Sequence, residues 1–397
     1  MKYFEDTMNI KKGALSAFLI LGATIFWGCQ STDKKAESEP RKGWPADMAS
    51  LQQSIEVLLP LAADQKKFAD PKNTQLIDRE LANLARVSKS VEHSPSMVVR
   101  DPSVQFISSA LTEDLEKTVD SWRSGKLEYA RFSVMNVTSY CIECHTRTST
   151  GPDLKSETLR QSLQALPSIE RAEYLLASRQ FDAALEVLEK ILKDSSTMQG
   201  DFMLVDKAIR YSLAISVKFK RDPKKSLQLV RLVLENEKAP FYLKQNAQSW
   251  KMAIEVWSKE KARSRQTAGD ILATVRDLLR KADETTSSSM DKGGDIYYLR
   301  ALSELHLLMT QQLPPQQIGE TLYLTGVSYE AVKDLSIWTL HENYFESCIR
   351  TVPKTDWAKK CYKRLEESIY FGYTGSSGTN IPADVQMRLQ SLQKLAF

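Results

Sequence analysis

Apolar residues recur every three or four positions in four successive segments between residues 45 and 145. This spacing places the apolar side chains of each segment on one face of an α-helix. The dipeptide Asp101-Pro102 is typical of a helix start, and Gly125 is typical of a helix end. Four amphipathic helices with short connections predict an antiparallel four-helix bundle. The predicted stripes are Met48, Leu51, Ile55, Leu58 and Ala62; Ile77, Leu81, Leu84, Val87 and Val91; Val104, Ile107, Leu111, Leu115 and Trp122; Leu127, Ala130, Val134, Val137 and Cys141, with Cys144 next along the fourth stripe.

The fourth segment ends in the motif Cys141-Ile142-Glu143-Cys144-His145, which reads C-x-x-C-H. Two thiols at this spacing add to the two vinyl groups of one haem, and the adjacent imidazole becomes the proximal iron ligand. A thioredoxin-like dithiol would follow a strand, and a zinc site would need further Cys or His ligands nearby. We therefore expect one covalent haem c, held by Cys141 and Cys144 and ligated by His145.

The segment from 45 to 152 resembles the cytochrome c-prime family of four-helix-bundle haem proteins. The resemblance rests on Cys141 to His145 and on the order of the helices. It implies a haem at the end of the last helix, and it allows a five-coordinate iron that binds nitric oxide or carbon monoxide. The chain differs from that family because it continues to residue 397.

Topology limits which residues can be the second axial ligand of the haem iron. In an antiparallel bundle the end of helix four lies beside the start of helix one and the connection between helices two and three. Met48, His93 and Met97 all fall at that end. Met48 is our preferred distal ligand because it opens the stripe of helix one and thioether ligation suits an electron carrier; His93, Met97 and an open site are the alternatives.

The N-terminal region predicts export. An apolar run with small residues spans 14–28, follows two lysines and precedes Cys29. It is too short for a membrane span and resembles a bacterial lipoprotein signal, which implies lipidation of Cys29. An uncleaved N-terminal anchor is the alternative, and both place the protein on the periplasmic side of a membrane, with the outer membrane favoured. A start at Met8 instead of Met1 would give a more typical leader.

These patterns divide the chain into a signal peptide at 1–28, a polar tether at 29–44, a haem domain at 45–152 and a helical domain at 153–397. Cys348 and Cys361 flank a short break at 351–354 between two helical patterns. Two antiparallel helices joined there bring the two cysteines within bridging distance, so an oxidising periplasm favours a disulfide. Two buried free thiols are the alternative.

The helical domain resembles a tetratricopeptide array. Residues 181–192 match the second half of such a repeat, and Gly326, Tyr329, Phe345 and Pro353 match another. The resemblance implies α-helical hairpins with a groove for a protein partner. The alternative is a set of helices packed onto the bundle without a groove in use.

Other features of this domain predict no chemistry. His306 and His341 lie within helical patterns, so we expect ordinary core or surface roles. The glycines at 372, 375 and 378 are expected to shape a loop before a final helix near Pro382.

Composition and charge limit the classes of function that the sequence predicts. The formal charge is only +4 and basic residues do not cluster with aromatics, so nucleic-acid binding is not expected. The sequence suggests no catalytic residue set and thus no enzyme. We expect electron transfer with a periplasmic redox partner; a gas-binding sensor and a protein-interaction scaffold with a structural haem are the alternatives.

Overall fold

The structure is a computed structural model that describes residues 43–92, 101–147, 163–164, 166–260, 267–286, 292–332, 339–376 and 378–397. Those residues fold almost entirely into helices, which confirms the predicted all-α class. The first six helices are α1 (Trp44–Ala63), α2 (Gln65–Phe68), α3 (Thr74–Glu92), α4 (Pro102–Arg123), α5 (Leu127–Asn136) and α6 (Thr138–His145).

The second half adds α7 (Ser168–Ala177), α8 (Phe181–Lys193), α9 (Ser195–Gly200), α10 (Phe202–Leu213), a π-helix (Ala214–Phe219), α11 (Pro223–Glu235), α12 (Phe241–Ser258), α13 (Ala268–Thr285), α14 (Asp295–Met309), α15 (Pro315–Ala331), α16 (Leu340–Thr351), α17 (Asp356–Gly372) and α18 (Ala383–Ala396). Within the described residues, no helix has both the length and the apolarity that crossing a membrane requires.

Helices α1, α3, α4 and α5 form a four-helix bundle. Helix α3 packs on α1 and α4, and α5 packs on α4 and α1, so the four close into a ring. Ser90 near the end of α3 donates to Asp47 near the start of α1, and Arg131 in α5 donates to the carbonyl of Ala62 near the end of α1. These contacts make neighbouring helices antiparallel. Most residues of the apolar stripes fill the bundle core, with Met48 and Leu127 partly buried at its edge. Val104 and Ile107 at the start of α4 are buried but lie outside that core.

The fourth helix differs from the sequence expectation, which was one continuous stripe through Cys141. The helix breaks at Val137, although that residue keeps helical backbone angles of φ −59° and ψ −29°. Beyond the break, α6 packs on α4 and on α7. The C-x-x-C-H motif therefore lies between the bundle and the second half of the chain.

The second half of the chain contacts the bundle again near its C-terminal end. Its helices pack on one another in succession, beginning with α7 on α6, and α16 then packs on α4. Ile107 of α4 and Ile142 of α6 belong to the large core of this half, whereas Tyr174 of α7 belongs to the bundle core. Residues 42–397 form one compact unit in which the two cores share residues around the motif.

Two features connect the C-terminal helices closely. Gly326 in α15 faces the ring of the fully buried Phe345 in α16 so closely that a β-carbon there would lie 2.5 Å from ring carbon Cε1. A disulfide joins Cys348 in α16 to Cys361 in α17, with the Cα atoms 6.3 Å apart. These are the two cysteines that the sequence pairs.

The glycine-rich segment after α17 is more ordered than the expected loop. Thr374–Gly375 (β1) and Gly378–Thr379 (β2) pair as a two-stranded antiparallel hairpin. Gly378 has φ +97°, a conformation that favours glycine. The final helix begins directly after Pro382, as predicted.

Candidate functional site

The motif thiols lie one turn apart on α6. Cys141 and Cys144 are free thiols, and both are partly buried. Cys141 packs against both cores and Cys144 against the larger one. The pair thus faces inward, as the stripe of the fourth helix predicts.

Burial governs the acidity of these thiols. It raises the pKa of Cys141 to about 12 and the pKa of Cys144 to about 11. A nucleophilic C-x-x-C has the opposite property, a lowered pKa at a helix N-terminus or beside cations. The dithiol redox alternative is therefore disfavoured.

A zinc site at the motif is also disfavoured. Among the described residues, no group of three or more His, Cys, Asp or Glu side chains is arranged to hold a metal ion. A structural zinc needs four such ligands in tetrahedral arrangement.

His145 is held in the orientation that a metal ligand needs. Its Nδ1 atom contacts the carbonyl oxygen of Ala177, the last residue of α7. A carbonyl only accepts hydrogen bonds, so Nδ1 carries the proton and Nε2 keeps a lone pair. Metal-ligating histidines typically donate the other ring N–H in this way. Burial lowers the pKa of His145, which favours the neutral, ligating form.

Arg179 fixes the backbone around the same histidine. Its Nη1 atom donates to the His145 carbonyl at 2.5 Å. The guanidinium lies over the rings of Phe181 and Phe219, with Arg179 Cζ 5.6 Å from the centroid of each ring. The backbone of Arg179 has a φ of +63°. The turn between α7 and α8 therefore positions His145 through Ala177 and Arg179.

The donor set fits a c-type haem, whereas the space beside it is small. Two thiols one turn apart and an imidazole with a free Nε2 are the donors that haem c attachment uses. Within the described residues, α6 lines a cavity of about 20 Å³, which has room for one water. A porphyrin is far larger, so its insertion requires α6 and its neighbours to separate.

Topology places Met48 at the motif end of the bundle. Arg147, just after the motif, is paired at 2.6 Å with Asp101 at the start of α4, and Asp47 contacts Ser90 at the same end. One turn after Met48, the Gln52 amide contacts the Tyr174 hydroxyl, which lies near Cys141. The other candidates, His93 and Met97, lie outside the described residues, as do Cys29 and the predicted signal peptide.

A buried polar cluster adjoins the motif, and sequence reasoning missed it. Lys218 Nζ lies 3.0 Å from the Tyr329 hydroxyl, and that hydroxyl lies 2.8 Å from His306 Nε2. His306 Nδ1 faces the Asp101 carboxylate at 3.8 Å. We call these four residues the polar cluster. His306 was expected to be an ordinary core residue, and it is indeed buried and hydrogen-bonded. The one feature of the sequence that could have indicated the polar cluster is Lys218, a lysine within the mostly apolar segment 214–219.

No protein-family model, no curated protein and no solved structure matches this chain. The motif and the contacts around it are therefore the observations from which a function can be inferred.

Proposed function

We propose that this protein is a c-type cytochrome that carries one covalent haem and transfers electrons on the periplasmic side of a bacterial membrane. The observation that carries the proposal is the bond from His145 Nδ1 to the Ala177 carbonyl, which leaves Nε2 available next to two thiols at haem spacing. Cys141 and Cys144 would hold the group, and His145 would ligate its iron. When bound, a haem supplies a reversible one-electron couple.

The protein orients His145 and excludes water from the motif. Ala177 and Arg179 hold the ring and the backbone of His145, and both belong to the second half of the chain. The thiols pack into apolar cores, so the site lies in a low-dielectric environment, one of the factors that set a haem potential. The lipid anchor at Cys29 and a periplasmic redox partner belong to the same proposal.

The spectrum of the haem-loaded protein tests electron transfer against gas binding. Methionine ligation by Met48 predicts a weak charge-transfer band at the red end of the ferric spectrum and no rapid binding of carbon monoxide. The Met48→Ala variant is expected to lose the band and to bind carbon monoxide. Met135→Ala is the matched control, because Met135 packs against the same core but lies in α5, before the break at Val137 that separates it from the motif helix.

The outcomes separate the alternatives. A wild-type protein that lacks the band and binds carbon monoxide at once contradicts the electron carrier and supports a five-coordinate sensor. A Met48→Ala spectrum identical to that of the wild type assigns the distal position to another residue, and His93→Ala and Met97→Ala then identify it.

A second candidate function is protein binding by the helical array. Four large side chains are exposed at the starts of α10 and α12: Phe202, Met203, Phe241 and Tyr242. Tyr242 interacts electrostatically with Asp206 of α10, so the two helix starts are neighbours. Exposed aromatic and methionine side chains of this kind are enriched at protein interfaces. This surface is where we would place a redox partner or another protein.

A further inference from the structure

An open pocket of about 700 Å³ lies at the end of the four-helix bundle that is opposite the C-x-x-C-H motif. It is formed where α3 begins, α4 ends and α5 begins, and its apolar lining residues are Ala69, Trp122 and Leu127. Because α4 has 22 residues, roughly 30 Å separates this end of the bundle from the motif end. Small-molecule sites occupy about 300 to 1,000 Å³, so the pocket has room for a small organic ligand.

The indole N–H of Trp122 is an unpartnered donor at this pocket. Trp122 is only 7% exposed, and its ring packs edge-on against the ring of Phe68 with the centroids 5.2 Å apart. Within the described residues, no acceptor lies in hydrogen-bond range of the indole N–H, although solvent still reaches the nitrogen. A buried indole N–H usually has an acceptor. Since Trp122 lines the pocket, an oxygen of a bound ligand would supply one.

Two arginines that line the pocket add donors on side chains that are already held in place. Arg123 donates from Nε and Nη2 to the two carboxylate oxygens of Asp78, at 2.9 and 3.3 Å. Arg79 contacts one oxygen of Glu80 through the same two nitrogens, at 2.9 and 2.7 Å. In each guanidinium Nη1 bonds to none of the described residues and keeps its two N–H groups for another acceptor. Because the opposite edge of each guanidinium is fixed, binding an acceptor there costs less side-chain entropy.

The other polar groups of the pocket also favour a negatively charged ligand. Thr74 and Gln75 begin α3 and line the pocket, so the positive end of that helix dipole lies beside it. Among the lining residues that the structure describes, Asp78 is the one acid, and both its oxygens accept from Arg123. Hydrogen-bond donors therefore predominate around an apolar floor.

We infer that this pocket binds a small organic anion, a planar carboxylate with an apolar body. The carboxylate accepts from Nη1 of Arg79 and Arg123 and from the indole N–H of Trp122. Arginine presents N–H groups in a planar fork that matches a carboxylate. The apolar body packs against Ala69 and Leu127, which an inorganic anion does not use. The site involves none of the motif residues, so it goes beyond the proposed function and does not depend on it.

Calorimetric titration of the full chain with benzoate tests the inference. Benzamide has the same ring without the charge, and inorganic phosphate has the charge without the apolar body. Benzoate is expected to bind about tenfold more tightly than either compound, because only benzoate satisfies both the donors and the apolar floor.

The tryptophan signals show where the ligand binds. The protein contains seven tryptophans, and each indole N–H gives a separate NMR signal in nitrogen-labelled protein. Benzoate should move one of these signals downfield, as expected when an N–H donates to a carboxylate. The same signal should be missing from the spectrum of Trp122→Phe, which keeps an aromatic ring beside Phe68 but lacks the N–H.

The double variant Arg79→Gln/Arg123→Gln removes the charged donors without disturbing the core, because both side chains are more than half exposed. It should weaken benzoate binding about tenfold or more. Arg86→Gln is the matched control, because Arg86 is exposed on the same helix as Arg79, donates to Asn83 and does not line the pocket. Its affinity for benzoate should equal that of the wild type. If Trp122→Phe fails to fold by circular dichroism, the double variant decides.

The contrary outcomes are distinct from one another. A wild-type protein that does not bind benzoate, or that binds benzamide equally well, overturns the anion site. Tighter binding of inorganic phosphate than of benzoate overturns the assigned ligand class. An unchanged affinity in the double variant, or an indole shift that persists in Trp122→Phe, overturns the assignment to this pocket. All these measurements can be made whether or not the protein acquires haem, so a failure of the proposed function leaves them intact.

Discussion

Replacing Gly326 with alanine should destabilise the protein, although the same change usually stabilises a helix interior. Gly326 lies in the middle of α15, where alanine gains about 1 kcal/mol in helix propensity. A β-carbon there would lie 2.5 Å from Cε1 and 2.7 Å from Cδ1 of Phe345. The ring cannot easily move, because it is fully buried and packs against the rings of Tyr323 and His341.

Overpacking of this kind costs about 1 to 3 kcal/mol, and the close contact with two ring carbons favours the upper end. After the gain in propensity is subtracted, we expect a net loss of about 2 kcal/mol. Urea unfolding followed by circular dichroism measures this loss as a lower midpoint with an unchanged slope.

Gly269→Ala is the matched control, because a β-carbon there would meet only the Thr267 hydroxyl at 3.7 Å. It should be neutral or slightly stabilising. In a double-mutant cycle, Phe345→Leu should cost less in the Gly326→Ala background than in the wild type, since it removes the clashing ring. A Gly326→Ala protein as stable as the wild type would refute the assigned packing of α15 on α16.

Two other predictions concern the disulfide and Lys218. Peptide mapping without reductant should link Cys348 to Cys361, and Cys361→Ser should lower the free energy of unfolding by about 3 kcal/mol. Finding both thiols alkylatable in protein made under oxidising conditions would contradict the bond. Because folding lowers the pKa of Lys218 from 10.5 to about 8, the unfolded chain binds more protons between these values. The stability of the wild type relative to Lys218→Met should therefore rise over that range by up to about 3 kcal/mol in urea titrations, and a constant difference would argue against a buried ammonium.

The bundle could be predicted from the sequence because its stripes are local. The spacing from Leu51 to Ala62 and from Ile77 to Val91 identifies the buried face of each helix, and those residues are buried. Asp101-Pro102 and Gly125 likewise mark the limits of α4. Local patterns of this kind do not depend on the rest of the fold.

The break in the fourth helix could not be predicted. Val137 keeps helical backbone angles, and neither proline nor glycine marks the site. The direction of α6 is set by its packing on α4 and α7, a tertiary contact with no local signature. The disulfide was predictable because its cysteines flank a short break, whereas the return of α16 onto α4 joins segments that are far apart in the chain.

Only part of the candidate site could be predicted from the sequence. The motif gives Cys141, Cys144 and His145, but nothing in the sequence indicates that the carbonyl of Ala177 holds the imidazole. The polar cluster draws Asp101, Lys218, His306 and Tyr329 from four separate segments. Such a set becomes apparent only when tertiary packing brings its members together.

The most direct test of the account is mass spectrometry of the peptide that contains Cys141 and Cys144, from protein made in a host with cytochrome c maturation. A covalent haem c predicts one haem bound to that peptide through both cysteines, retained after denaturation and acid-acetone extraction, and absent when both cysteines are replaced by alanine. A colourless protein whose two motif thiols are both alkylated would contradict it.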